Sequence, residues 1–273
     1  MSDPRPIGLF DSGVGGLTVL EAVARRMPHE DLLYLGDTAR LPYGTKSPET
    51  VRRYARRAIS FLLSQGVKAV VVACNTASAL ALDVIEEISA VPVVGVVAPG
   101  AEAAVDAARV SDQDGVKGPI AVLATEATVA SDAYGRAIRA LDPGRDVMHT
   151  ACPLFVPLAE EGWTENEVAR AAAARYLAGV PRAGARVVVL GCTHYPLLAQ
   201  TIALALPRGT ILVNSAETTA RAVEAALLPA SRRGKTSQGT TRLLVTDASE
   251  RLRRVAGRFL GRPAADLTLV DLP

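Results

Sequence analysis

Two of the three cysteines stand where a thiol can do chemistry. Cys74 closes the run KAVVVACNT (residues 68–76), and Cys192 closes ARVVVLGCTH (residues 185–194). Each run has the length and apolar content of a buried strand, and each leads into a stretch that predicts a helix. A thiol at such a point lies in the field of a helix N-terminus, whose free N–H groups favour the thiolate. Its pKa is therefore expected to fall below the ~8.5 of a free thiol. A thiolate can act as a nucleophile, a metal ligand or a base. One cysteine so placed, with His194 as its base, would suggest a thiol hydrolase, but that leaves Cys74 without a task. Two in matching places suggest a base on each face of a carbon centre. Proton removal on one face and return on the other inverts the centre, which is racemisation or epimerisation.

The neighbouring residues suit a small charged substrate. Asp11 and Ser12 end the first apolar run, and Gly13, Gly15 and Gly16 behind them let the backbone approach a ligand closely. The DSGVGG pattern is not a nucleotide-binding loop of the Walker type, because no GK[ST] follows. Asn75, Thr76 and Thr193 offer amide and hydroxyl groups to a carboxylate or an ammonium. His194 can orient the second thiol or share its proton. None of the four lysines (Lys46, Lys68, Lys117, Lys235) lies in a strand-tip motif, which argues against a pyridoxal phosphate electron sink. No cofactor and no metal are expected. The Cα carbanion must then be stabilised by desolvation and hydrogen bonds.

Strand and helix patterns alternate around these motifs. Strands are predicted at 6–10, 31–35, 68–73, 91–97, 119–124, 147–151, 186–190, 243–246 and 267–270. Helices are predicted at 17–26, 47–65 with Ser47 as N-cap, 76–89, about 127–141, 165–177, near 196–206, and 249–260. Polar loops are expected at Val110–Gly118 and Ser231–Gly239. Such alternation specifies parallel sheets covered by helices on both faces, with ligands beyond the carboxyl ends of the strands. Valine-rich strands can match by chance, but the matching cysteine tips favour a true internal duplication. The expected fold is α/β, with two pseudo-symmetric parallel-sheet domains and the site in the cleft between them. Residues 1–98 with 208–273 are assigned to the first domain and 99–207 to the second. Cys152, at no repeated strand tip, is read as structural. Arg251, Arg253, Arg254 and Arg258 follow one helix and are read as its solvated face.

Composition limits the alternatives. The 273 residues are 49% hydrophobic and 21% charged, which is globular and sufficient for a large core. A net charge of +2, from 30 basic and 28 acidic residues, makes no electrostatic case for nucleic acid or an anionic membrane. No signal-peptide pattern opens the chain, and its longest apolar runs are far short of a membrane span. Three cysteines without a CxxC pair suggest neither a disulfide scaffold nor a structural zinc, so a reducing cytoplasm is expected.

Four blocks, DSGVGG (11–16), GDTARLPYG (36–44), ACNTAS (73–78) and GCTHYPL (191–197), resemble the signature blocks of the glutamate racemase family, in the family's order and across essentially the whole chain. Related aspartate racemases carry CNTAH in the first cysteine block and lack the His-Tyr-Pro sequel in the second. Ser78 and His194-Tyr195-Pro196 therefore favour the glutamate branch. The resemblance implies a cofactor-independent, homodimeric enzyme that interconverts L- and D-glutamate and supplies D-glutamate for bacterial peptidoglycan. It implies Cys74 and Cys192 as acid/base thiols, assisted by Asp11 and His194 respectively. Asp11, Ser12, Tyr43, Gly44, Asn75, Thr76, Thr193 and His194 become the substrate contacts. The segment CPLFVPLAEE (152–161) also resembles the family and supplies an acidic residue at Glu160, with Glu161 beside it. Racemisation of aspartate or another small amino acid stays open, as does a binding protein holding an acidic ligand between two lobes.

Overall fold

The apolar runs become the strands of two parallel sheets. The computed structural model describes residues 3–112, 117–227, 238–264 and 266–272. With strands numbered along the chain, the first sheet holds β1 (Ile7–Asp11), β2 (Leu32–Gly36), β3 (Ala69–Val72), β4 (Val93–Gly95), β9 (Thr241–Val245) and β10 (Leu267–Leu269). The second holds β5 (Ile120–Ala124), β6 (Val147–Ala151), β7 (Val187–Gly191) and β8 (Ile211–Asn214). Among the described residues the orders are β10-β9-β2-β1-β3-β4 and β6-β5-β7-β8. The block β2-β1-β3-β4 thus recurs as β6-β5-β7-β8. Register makes the match residue by residue: Phe10 pairs with Val72, and Leu123 pairs with Leu190, Val72 and Leu190 each lying two residues before a cysteine. Cys74 and Cys192 consequently leave equivalent strands at equivalent heights.

Both faces of each sheet are covered, which is why the strand sequences are apolar without alternation. On the first sheet Ile7, Leu9 and Val71 pack against α1 (Leu17–Arg26), α11 (Ser215–Ala226) and α12 (Glu250–Leu260). Phe10, Leu35, Val70 and Val72 face the other way, against α2 (Pro48–Ser64) and α3 (Asn75–Ile88). On the second sheet Ile120, Val122 and Val189 meet α4 (Val97–Ser111) and α6 (Ala133–Leu141). Leu123, Val188 and Leu190 meet α7 (Phe155–Glu161), α8 (Glu167–Leu177) and α10 (Ala199–Leu204). Each such Val or Leu, taken fully out of water, contributes about 1.5–3 kcal/mol. Ser47 caps α2 as its sequence signature predicts, its Oγ accepting the Thr50 N–H at 3.3 Å.

The structure departs from the sequence reading in several places. The return to the first sheet does not fall at 207/208, because β8 pairs with β7; the chain crosses back only after Asn214. A four-residue edge strand with Ile211 exposed lacks the long apolar run that reveals an inner strand. Strand β4 is only three residues long, and the chain turns at once into α4, where Pro99 falls in the first turn and costs no hydrogen bond. The helix expected over 127–141 is broken at Asp132, which adopts φ +50° between α5 (Glu126–Ser131) and α6. Helix α4 also continues to Ser111, and of the two expected loops residues 113–116 and 231–237 lie outside the described residues. The short helix α9 (Gly179–Arg182) leads from α8 toward β7.

Candidate active site

The carboxyl ends of β1 and β3 build one wall. Asp11 is fully buried, and its Oδ2 accepts the Gly13 N–H at 2.9 Å. Burial holds its carboxyl above the usual carboxylate range, against the pull of a charged His194. Cys74 is the N-cap of α3; its sulfur accepts the Ala77 N–H at 3.4 Å and donates to Ser12 Oγ at 3.3 Å. The expectation of a lowered thiol pKa fails here. Burial, and after it the negative charge of Asp11, pushes the Cys74 thiol up to about 12, outweighing its hydrogen bonds with Ser12 and Ala77. The helix N-terminus is present, but desolvation of the charged form is the larger effect. Ser78, one turn further on, spans from Val72 O at 2.8 Å to the Val96 N–H at 3.2 Å and so ties β3 to the chain after β4.

The second wall comes from β7 and differs in its chemistry. Cys192 is followed by a turn of 3-10 helix, Tyr195–Leu198, rather than by an α-helix. Its charged support is His194, whose Nδ1 lies 3.8 Å from Cys192 Sγ and 3.4 Å from Thr193 Oγ1. His194 Nε2 lies 3.4 Å from Glu160 Oε1. Burial opposes a charge on this imidazole, yet Cys192 and Glu160 outweigh it and raise His194 to about 10. The His194 hydrogen bond in turn holds Glu160 below the usual range. Of the adjoining pair, Glu160 is the one that faces His194, while Glu161 Oε1 takes a 2.9 Å bond from Arg251.

The first half also encloses His194. A Cβ on Gly15 would lie 2.6 Å from His194 Nδ1 and 2.4 Å from Thr193 Oγ1, so only glycine permits this approach. Phe259 of α12 sets its ring against the imidazole, with centroids 5.0 Å apart and planes at 79°. Arg258 donates to the Glu160 carbonyl, and Arg251 lies 3.7 Å from Glu160 Oε2. These two arginines are therefore not merely the solvated face that helical periodicity suggested. They reach from α12 to α7.

Both walls open on one cavity of about 140 Å³. Ser12, Tyr43, Gly44, Cys74, Asn75 and Thr76 line it from the first half, and Cys192, Thr193 and His194 from the second. Asp11 and Glu160 stand behind this lining, acting on it through Cys74 and His194. Thr76 is bound into a threonine cluster, with Oγ1 3.0 Å from Thr125 Oγ1 and 3.2 Å from Thr128 Oγ1. Tyr43 donates its hydroxyl proton to Asp37 at 2.7 Å, and its ring packs between Phe10 and Tyr54. Asn75 Oδ1 accepts from Tyr134 at 2.7 Å, whereas its Nδ2 is buried without a partner among the described residues.

Sequence reasoning missed Thr125, Glu126, Val156 and Pro157, all of which face the cavity. Thr125 follows β5 as Ser12 follows β1, so the duplication pointed to it, although no cysteine marked that tip. Cys152 does stand at a repeated strand tip: it directly follows β6, the counterpart of β2, and so occupies the place that Asp37 takes in the first half. It is wholly buried, and burial pushes its thiol up to about 12. Among the described residues, no group of three or more His, Cys, Asp and Glu side chains is placed to hold a metal ion, and no helix is long and apolar enough to cross a membrane.

The chain is similar to known proteins over nearly its full length. The family model described as Asp/Glu/Hydantoin racemase matches residues 16–223. A glutamate racemase of Geobacter metallireducens is 49% identical over 98% of this chain and 97% of its own. A crystal structure of glutamate racemase from Francisella tularensis in complex with D-glutamate superposes with a TM-score of 0.90 at 35% identity, covering 98% of each chain. That of Thermus thermophilus, in complex with β-chloro-D-alanine, gives 0.86 at 46% identity over 99% of this chain and 98% of its own. With two matched sheets, two cysteines at equivalent strand tips and relatives of this likeness, the chain belongs to the glutamate racemases of the Asp/Glu racemase family.

Proposed function

We propose that the chain racemises glutamate by a two-base mechanism in which Cys74 and Cys192 exchange protons with opposite faces of Cα. The observation that carries this reading is that thiols from two equivalent strand tips line one cavity. The resting protonation of Cys74 follows from its neighbours, and the thiolate role of Cys192 is part of this proposal. Cys74, pushed up to about 12, is a neutral thiol at pH 7 and ready to donate. An imidazolium at His194 faces the Cys192 sulfur, where the negative charge of a thiolate would reside. In one direction the Cys192 thiolate takes the α-proton, and the Cα–H electron pair stays on the substrate as a carbanion. That pair then takes the proton of Cys74, leaving Cys74 as thiolate and Cys192 as thiol. The opposite enantiomer runs the same steps backward and restores the resting state.

Substrate contacts would come from groups with protons to give. The free Nδ2 of Asn75, the hydroxyls of Ser12 and Thr193, and the imidazolium of His194 suit the two carboxylates of glutamate. Thr76, Tyr43 and Gly44 complete the lining. Of these donors, the His194 imidazolium and the hydroxyls stabilise the carbanion as its charge develops on the α-carboxylate. Asp11 and Glu160 set the charge of the thiol side and the imidazole side without touching the substrate. No electron-sink cofactor enters this mechanism. D-glutamate made in the cytoplasm for peptidoglycan, by a homodimer, is the cellular role that family membership supports.

Turnover in D2O tests the mechanism. L-glutamate should give D-glutamate carrying deuterium at Cα, and Cys74→Ser and Cys192→Ser should each abolish steady-state racemisation followed by circular dichroism. Wild-type rates in both single variants would end the two-thiol account.

A further inference from the structure

We propose that Tyr134 is a positioning residue for racemisation: its hydroxyl fixes the Asn75 amide so that both Nδ2 protons face the substrate. This rests on Asn75 being a substrate contact, as proposed above. An asparagine amide can sit in two orientations that differ by a half turn, and its hydrogen-bond partners decide between them. The Tyr134 phenol donates to Asn75 Oδ1 at 2.7 Å. In the reversed orientation the phenol proton would lose this acceptor, and a carbonyl oxygen would confront the substrate's carboxylate. Asn75 is 2% exposed and its Nδ2 has no partner among the described residues. A buried donor left unpaired costs about 1–3 kcal/mol, a cost that a ligand with a free acceptor removes. Asn75 lines the cavity beside Cys74.

The phenol is itself held rigidly, from the other half of the molecule. Tyr134 belongs to α6 and is 1% exposed. Its ring lies between Gly100 and Gly191, where added Cβ atoms would fall 3.1 and 3.2 Å from ring carbons. Gly191 immediately precedes Cys192, and Asn75 immediately follows Cys74. One side chain thus joins the residues next to both thiols, and the second domain dictates the orientation of a donor in the first. Burial, then the nearby Cys192, holds the phenol above its ordinary value, so it remains a proton donor throughout the neutral range.

The test is a kinetic cycle on the full-length enzyme with Tyr134→Phe, Asn75→Ala and the double variant. Phenylalanine keeps the ring between the two glycines and removes only the hydroxyl. Tyr134→Phe should raise KM for glutamate about tenfold, the order of one lost hydrogen bond, with kcat within about twofold of wild type. Asn75→Ala should raise KM at least as much, and adding Tyr134→Phe to it should change KM no further. A raised KM in Asn75→Ala with a wild-type KM in Tyr134→Phe overturns the positioning role alone. An unchanged KM in Asn75→Ala removes the substrate contact and this proposal with it. Equal effects of Tyr134→Phe in both backgrounds, or a fall in kcat and Tm with KM unchanged, assign Tyr134 a general structural role and overturn the proposal.

Discussion

The Cys74 tip and the Cys192 tip are built on the same plan and have neighbours of opposite charge. Each follows an inner strand of a matching four-strand block, and each sulfur reaches the same cavity. Behind Cys74 stand a fourteen-residue helix and a buried carboxylate, Asp11. Behind Cys192 stand a turn of 3-10 helix and a His194–Glu160 pair. The duplicated backbone places the two sulfurs, and a few non-duplicated side chains give each its own electrostatic surroundings. At the level of sequence the difference is small: after the cysteine comes Asn-Thr in one half and Thr-His in the other.

Removing the charges should break this asymmetry with the largest effect. His194→Asn deletes the cation opposite Cys192 and should lower kcat/KM by about a hundredfold or more, the usual scale of a positioned acid or base. Asp11→Asn removes an anion that raises Cys74, so Cys74 should be alkylated by iodoacetamide at lower pH than in wild type, measured in a Cys192→Ser background. L- and D-glutamate have equal free energies, so each variant must lose kcat/KM equally in the two directions. Any asymmetry must appear in the separate kcat and KM values, measured from each enantiomer. An alkylation profile for Cys74 unmoved by Asp11→Asn would mean that burial alone controls that thiol.

The duplicated part of the site was legible in the sequence because it is written as local strings. KAVVVACNT and ARVVVLGCTH each combine a buried strand with the residues at its tip, and the cavity lining contains the residues named from them. The electrostatic surroundings of Cys74 were not legible in the same way. Cys74 sits at a helix N-terminus, as read, but its environment is set by Asp11, sixty-three positions away in sequence, and by burial. Edge elements were also obscure. Strand β8 is short and partly exposed, so its membership of the second sheet emerges only through pairing with β7. Tyr134 and Thr125 carried no motif; they matter because α5 and α6 bring them against Asn75 and Thr76.

A smaller effect is expected from Glu160→Gln, which keeps the shape of the partner and removes its charge. His194 is raised to about 10 from 6.5, partly by Glu160, so the variant should move the alkaline limb of kcat/KM about one pH unit lower. The same linkage acts on stability. A folded state that holds the His194 proton more tightly than the unfolded chain gains stability that is whole below pH 6.5 and is lost as pH rises through about 10. Cys74 acts in the same sense, with its contribution whole below 9.0 and lost as pH rises through about 12. The decline of Tm between pH 7 and 10 should therefore be steeper in wild type than in Glu160→Gln. An equally steep decline in both would show that Glu160 does not help hold the imidazole proton.

The smallest effect should come from Phe259→Leu, and it probes how the first half supports the charge of the second. The Phe259 ring meets His194 edge to face at 5.0 Å, on the same helix whose Arg251 and Arg258 reach Glu160. Leucine keeps most of the apolar cover and loses the ring's quadrupole, an interaction worth about 0.5–1.5 kcal/mol. A fall in kcat/KM of about two- to tenfold is expected, with the alkaline limb moved lower by a fraction of the Glu160→Gln shift. Phe259→Ala would also admit water beside the imidazole, and it should move the limb further than leucine does. If leucine and alanine instead leave the limb in place while lowering Tm, Phe259 serves only as packing for α12. Proton affinity at His194 would then be set within the second half alone, by Cys192 and Glu160.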